Sequence, residues 1–196
     1  MMEEDVFEIY IRKWLDYSNK YGVGYLLTNG DIGVYFNDAS KMIIKHGNTS
    51  IVYIEKQILS KNEAKHFFEE DNCPVELEKK MILAKNFRKH FVETGMNNDQ
   101  NIKNDEFSDL DMIYLKKWIK TKHAMLFRLS NSIIQVFFKD NSQILLNSEA
   151  KRVMYLGENG EKTVFTAEEA AKKEGEFGRR LQYTKEILSQ ISKDGK

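Results

Sequence analysis

Residues 27 to 56 recur, displaced by 102 positions, at residues 129 to 158, and the match needs no gap. Leu27/Leu129, Asn29/Asn131, Ile32/Ile134, Val34/Val136, Phe36/Phe138, Asp38/Asp140 and Ser40/Ser142 are identical pairs, and Tyr53/Tyr155 extends the register beyond Met42-Ile43-Ile44 and Ile144-Leu145-Leu146. The chain therefore holds two copies of one folding unit. At 196 residues and 41% hydrophobic content it has material for one sizeable core or two small ones, and the repeat favours two modules.

Each copy alternates apolar and polar residues with period two, so Ile32, Val34 and Phe36 share one strand face, as do Ile134, Val136 and Phe138. Asn29-Gly30-Asp31, Asn37-Asp38, Asn131-Ser132 and Lys139-Asp140-Asn141 supply hairpin turns, which predicts an antiparallel meander in each copy. A helix is expected after each meander. The first begins near Pro74 with Asp71 or Asn72 as cap, carries Leu77, Met81, Ala84, Phe87 and Phe91 at helical spacing, and stops at Gly95. The second starts after Thr166 with Glu169 completing a capping box, and carries Ala170, Phe177, Leu181, Ile187, Leu188 and Ile191, with Gly175 and Gly178 weakening its early part. The fold class is α+β: two tandem modules, each an antiparallel sheet crossed by a C-terminal α-helix. Residues 1–8 form an acidic approach segment, 9–96 the first module, 97–112 an Asn- and Asp-rich linker and 113–193 the second module. Modules this small are expected to pack together and leave a cleft.

Lys plus Arg equals Asp plus Glu at 30 each, which removes the basic field of a nucleic-acid binder. The single cysteine, Cys73, forms no intramolecular disulfide, and no apolar run resembles a signal peptide or a membrane span. A soluble intracellular protein without membrane or nucleic-acid partners is expected, which makes the Asn48-Thr49-Ser50 sequon a chance match. His46, His66, His90 and His123 have no metal-ligand spacing with one another or with Cys73, no nucleophile stands beside a base, and no cofactor is implied.

Trp14-Leu15-Asp16-Tyr17-Ser18-Asn19-Lys20-Tyr21-Gly22-Val23-Gly24-Tyr25, followed by Gly33 to Asp38, resembles the first polo box of polo-like kinases. Trp118-Ile119-Lys120-Thr121-Lys122 through Phe138-Lys139-Asp140 resembles the second, so the likeness covers residues 9 to 193. The resemblance implies a non-catalytic targeting module of a Ser/Thr kinase that takes a peptide bearing phosphoserine or phosphothreonine between its boxes. It implies a mitotic or centrosome-like destination in cytoplasm or nucleus, and restraint of the same protein's kinase domain. No kinase signature of its own is present: neither His-Arg-Asp nor Asp-Phe-Gly occurs.

The same resemblance gives Trp14 contact with the residue before the phosphorylated one, where a rigid indole senses a small neighbour, and places Asp16 in the same stretch. Both have plainer readings, as sheet packing and a solvated strand end, and Trp118 has the packing role alone. The family's phosphate-holding His and Lys correspond to Asn141 and Gln143, which donate hydrogen bonds but bring no positive charge to a dianionic phosphate. Lys120, Lys122, Lys139 or Arg128 then supplies the charge, or the site has become phosphate-independent. Tyr17 and Tyr21 match residues lining a secondary apolar pocket, in which Asn86 and His90 replace tyrosines and make the pocket smaller or more polar. A contrasting function is a structural pair of boxes whose sheet edges join two copies.

Overall fold

The computed structural model describes residues 5–47, 49–57, 59–60, 62–95 and 112–194; residues 97–111 of the linker, 1–4 of the approach segment and Asn48 of the sequon lie outside them. The chain divides by contacts into two units, Ile9–Tyr114 and Leu115–Lys196, the second joined by the residues up to Glu8. Residues 5–7 form a 3-10 turn, and Asn147 Nδ2 donates to the Val6 carbonyl at 3.0 Å.

The first module is a six-stranded antiparallel meander: β1 (Ile11–Tyr17), β2 (Gly22–Leu27), β3 (Ile32–Phe36), β4 (Lys41–Ile44), β5 (Ser50–Lys56) and β6 (Glu63–Glu69), in that spatial order. Its sheet is crossed by α1 (Glu78–Glu93). Leu26, Ile32, Val34, Phe36, Met42, Ile44, Ile51 and Tyr53 form one core with Met81, Ala84, Phe87 and Phe91, and Leu77 packs on its margin, as the helical spacing predicts. Burying a side chain such as Phe87 or Phe91 contributes about 2–3 kcal/mol. Gly24 in β2 makes room for the helix: a Cβ there would stand 2.2 Å from Phe87 Cδ1. Gly22-Val23-Gly24 is thus part of a strand on which the helix packs.

The start of α1 differs from expectation. Asp71 and Asn72 lie in a 3-10 turn (Glu70–Asn72), Pro74 precedes a second (Val75–Leu77), and α1 begins at Glu78 without a side-chain cap. The preceding turn takes the place of a cap, because the Leu77 N–H donates to the Pro74 carbonyl at 2.9 Å and the Glu78 N–H to that of Val75. At the other end Gly95 adopts φ +69°, the left-handed stop predicted for it.

On the sheet face away from α1, Ile43, Val52 and Ile54 pack with Met112 and Tyr114. Tyr114 donates to Glu63 Oε2 at 2.6 Å, and the buried ammonium of Lys41 also bonds the Glu63 carboxylate while lying 5.4 Å from the Tyr114 ring. Met112, at the end of the predicted linker, and Tyr114 are therefore core residues of the first module.

The second module repeats the meander: β7 (Leu115–Lys120), β8 (Ala124–Leu129), β9 (Ile133–Phe138), β10 (Gln143–Asn147), β11 (Arg152–Leu156) and β12 (Lys162–Thr166), each paired with its sequence neighbour. β7 bulges between Leu115 and Lys117, as β1 does between Ile11 and Lys13. Four residues, 18–21, separate the paired Tyr17 and Gly22, whereas Thr121 donates to the Ala124 carbonyl and leaves only 122 and 123 between them. That shortening displaces the first strands by 104 positions instead of 102, so Trp14 matches Trp118 and Asp16 matches Lys120.

The expected single second helix is two, α2 (Ala167–Ala171) and α3 (Gly175–Asp194). Thr166 and Glu169 form the capping box of α2. The break lies where Gly175 takes φ +77°, and a Cβ on Gly178 would meet the Lys173 carbonyl at 2.4 Å, so both glycines are requirements of the bend. Ala170, Phe177 and Leu181 pack on Ile144 and Val153, and Ile187, Leu188 and Ile191 on Ala124, Leu126 and Val136.

Candidate functional site

In the first module, pairing places Trp14 opposite Tyr25 and Asp16 opposite Val23, while the intervening Leu15 packs toward the α1 core. Trp14 and Asp16 therefore share the face turned away from α1, and Trp14 is half-buried. Asp16 Oδ1 accepts from the Ser18 N–H at 3.0 Å and the Ser18 hydroxyl at 2.5 Å, and the Ser18 carbonyl accepts from Asn37 Nδ2 at 2.9 Å. Its carboxylate orders the β1–β2 turn beside the tryptophan's strand.

Leu15, Tyr17, Tyr21, Leu83, Asn86, Phe87 and His90 line one cavity of about 200 Å³ between β1 and α1. Tyr17 meets Phe87 edge to face, with ring centroids 5.8 Å apart. The four residues singled out in the sequence are thus neighbours, with Asn86 and His90 adding polar groups to an aromatic wall.

In the second module, Lys120 closes β7 opposite Met125, and Lys122 is exposed in the β7–β8 turn. The β9–β10 turn lies at the same end of the sheet and holds Lys139 and Asn141, both exposed. Three strand spacings, about 14 Å, separate β7 from β10. Lys139 shares the turn of Asn141, whereas Lys120 lies on β7 itself and Lys122 in the β7–β8 turn, two strand spacings from the β9–β10 turn. Arg128 pairs with Ile134, whose side chain packs on the α3 core, so period two puts Arg128 on the face opposite Lys120 and Gln143. It also pairs toward the end of β9 remote from this turn, a poorer position than that of Lys139.

Asn141 adopts φ +69°, its N–H donates to the Phe138 carbonyl at 3.1 Å, and its carboxamide has no hydrogen-bond partner among the described residues. Gln143 is placed differently: its Oε1 accepts from the fully buried Gln135 Nε2 at 2.8 Å. One end of Gln143 is thus committed to the sheet, and only its own amide protons remain for a ligand.

Sequence reasoning missed a clamp present in both modules. Lys80, on α1, donates to Asp38 Oδ2 at 2.6 Å, the Ser40 hydroxyl at 2.6 Å and the Tyr53 hydroxyl at 3.0 Å. Arg180, on α3, donates to the Asp140 carboxylate, to the Ser142 hydroxyl at 2.5 Å and to the Tyr155 hydroxyl at 2.9 Å. Glu176, one turn earlier, also binds Arg180. In each turn the aspartate further accepts from the serine N–H at 3.0 Å. Burial pushes the Asp38 and Asp140 carboxyls upward, but the serine bonds and the helix cation outweigh it and hold both below their ordinary range. The three acceptors are the identical pairs Asp38/Asp140, Ser40/Ser142 and Tyr53/Tyr155. The donors differ in type and lie 100 positions apart, out of the 102-residue register, which hid them.

With this geometry in place, the comparisons with known proteins are specific. The family model described as the POLO box duplicated region matches residues 19–81 and 121–183, together well over half of the chain. A probable serine/threonine-protein kinase CCRP1 of Zea mays is 40% identical over 149 residues, covering 76% of this chain and 24% of its own length. The serine/threonine-protein kinase plk-2 of Caenorhabditis elegans is 33% identical over 189 residues, covering 93% and 29%. The chain thus spans about a quarter of the length of these relatives. The budding yeast Cdc5 polo-box domain in complex with an Spc72 phosphopeptide superposes with TM-score 0.76 at 25% identity, over 96% of this chain and 74% of that one. The same domain with the Dbf4 polo-interacting region gives TM-score 0.74 at 24% identity, over 93% and 72%, a likeness of fold. Two bulged six-stranded meanders, each clamped to its own helix, and a family match over both copies make one conclusion: this chain belongs to the polo-box family and carries two polo boxes in tandem.

Proposed function

We propose that the chain is the non-catalytic docking and targeting module of a polo-like Ser/Thr kinase, binding short peptide segments of partner proteins. The observation that carries this reading is the likeness, across 96% of the chain, to a polo-box domain bound to a phosphopeptide. Trp14 contacts the residue preceding the phosphorylated one, and Asp16 keeps the tryptophan's strand and turn in order. Asn141 donates from its carboxamide, Gln143 from its amide protons, and Lys122, Lys120 and Lys139 bring the charge that the amides lack. Phosphate preference is weaker than a His and Lys pair would give, because neutral donors form weaker bonds to a dianion than charged ones. In the whole protein the module docks the kinase on its partners, restrains the kinase domain by intramolecular contact, and directs it to centrosome-like or mitotic structures in cytoplasm or nucleus.

A second reading, phosphate-independent peptide binding or dimerisation, is favoured by one observation: Asn141 and Gln143 bring no positive charge to a dianionic phosphate. Fluorescence polarisation with paired Ser-Thr and Ser-phosphothreonine peptides at two salt concentrations separates the two. The first reading expects tighter, salt-sensitive binding of the phosphopeptide that Lys120→Ala/Lys122→Ala weakens. Equal affinity for both peptides establishes the second, and no binding by either rejects peptide docking. Light scattering then decides for or against a dimer.

A further inference from the structure

The conformation of the β9–β10 turn is held by a side chain from α3, Arg180, which binds Asp140 and Ser142. The duplicated clamp shows how. In both modules a helix cation gathers an aspartate, a serine and a tyrosine hydroxyl, with one residue in the left-handed region between the aspartate and the serine. In the first module that residue is Ala39 (φ +66°), which has no group to offer a ligand. In the second it is Asn141 (φ +69°), exposed and with its carboxamide unpartnered among the described residues. One device therefore serves architecture alone in the first copy and presents a hydrogen-bonding side chain in the second.

We infer that Arg180 is a positioning residue for peptide binding: from the helix side of the sheet it holds the Asp140–Ser142 turn so that Asn141 stays locked in its left-handed conformation. Arg180 does not touch the peptide, and its charge does not neutralise the phosphate. Asp140 and Glu176 both bind its guanidinium, and its Nη1 and Nη2 are spent on four acceptors. The guanidinium fork suits that load, since one planar group can meet Asp140, Ser142, Tyr155 and Glu176 together. Lys80 meets three acceptors with three ammonium protons, and the first-module turn asks for no more.

This inference rests on the peptide-binding reading, and the duplicated clamp provides its control. Arg180→Met and Lys80→Met remove equivalent cations, so they are expected to lower urea stability to a similar degree. Only Arg180→Met should weaken binding of a fluorescein-labelled Ser-phosphothreonine peptide, by about tenfold or more, since loosely held contacts lose most of their value. Arg180→Lys, which installs the first module's donor and has three protons for Asp140, Ser142 and Tyr155 while giving up Glu176, should keep binding to within about threefold. Tyr155→Phe, a milder change, keeps the test valid if Arg180→Met fails to fold, with an intermediate loss expected. Amide hydrogen exchange at Asn141 and Ser142 is a readout that needs no ligand: Arg180→Met should accelerate it locally, ahead of the rest of β9 and β10. Unchanged exchange, or equal loss of binding in Lys80→Met and Arg180→Met, overturns the positioning role. Absence of binding by the unaltered protein, with exchange still accelerated in Arg180→Met, rejects the peptide-binding reading and with it the positioning claim, and leaves a purely architectural clamp.

Discussion

The two modules share a topology, a bulged first strand and a clamp, yet they differ in what stands at the clamped turn and at the helix boundary. The first has Ala39 and one helix entered through a 3-10 turn; the second has Asn141 and a helix broken at Gly175. The acceptors of the clamp are identical in both copies, whereas the residue it presents differs. Duplication has thus kept the groups that satisfy the fold and freed the position that faces solvent. A comparison of the copies locates functional difference better than either copy alone.

The largest effects should come from the two cores. Phe91, 1% exposed, and Leu181, 3% exposed, are the most buried large apolar side chains of α1 and α3. Phe91→Ala should cost about 3–5 kcal/mol and Leu181→Ala about 2–5 kcal/mol. The two tryptophans, one per module, report on them separately in urea unfolding: Trp118→Phe leaves Trp14 as the probe of the first, Trp14→Phe leaves Trp118 for the second. If either core substitution moves only the other module's probe, the division into two units is wrong.

Next in size is the clamp itself. Lys80→Met and Arg180→Met each leave a carboxylate and two hydroxyls without their cation, and each should cost about 1–3 kcal/mol, discounted for the partial exposure of Asp38 and Asp140. Comparable losses uphold the equivalence of the two clamps. A loss confined to one module breaks it.

Much of this was legible in the sequence. The repeat, the turn residues and the helical spacing of Met81, Ala84, Phe87 and Phe91 gave two sheet-and-helix modules, and the Thr166–Glu169 capping box was readable to the residue. Besides the clamp and the 3-10 entry to α1, three things were not. β6 was missed because Glu63–Glu69 is an edge strand with little burial and no clean alternation. The helix break was hidden because Gly175 and Gly178 weaken a helix whether or not they bend it, and only the close Lys173 carbonyl decides. At the candidate site, the neutral side chains of Asn141 and Gln143 could be read from residue types, but not the Gln135–Gln143 bond or the placement of Arg128, which depend on strand register.

Glu70 gives the first module a pH-dependent feature. Arg88 binds its carboxylate through two bonds of 3.0 and 2.9 Å and Lys85 lies 3.2 Å away, which together hold its pKa down to about 2. A depressed carboxyl stabilises the fold above its ordinary value of 4.5, and that contribution fades as the pH falls from there to about 2. Glu70→Gln should therefore lower stability by about 1–2 kcal/mol at neutral pH. The gap between variant and parent should close as urea midpoints are followed down to pH 2.5. A gap independent of pH would assign the loss to packing.

The smallest effect is the sharpest test of the asymmetry between the copies, because one variant should change stability alone and the other affinity alone. Ala39 holds φ +66° with a Cβ that disfavours it, at a cost of about 1–2 kcal/mol. Glycine removes that cost but loses more freedom on folding, about 0.4–1 kcal/mol, so Ala39→Gly should stabilise the protein by about 0.5–1 kcal/mol. Asn141 occupies the same conformation with a side chain that tolerates it, so Asn141→Gly should leave stability nearly unchanged. Peptide affinity should move the other way: it is indifferent to Ala39→Gly and falls with Asn141→Gly, since only the second change removes a donor. Thermal melts and polarisation titrations on the two variants settle both halves. If Asn141→Gly gains as much stability as Ala39→Gly and keeps its affinity, then Asn141 is merely a turn residue, and the two copies do not differ in function at this position.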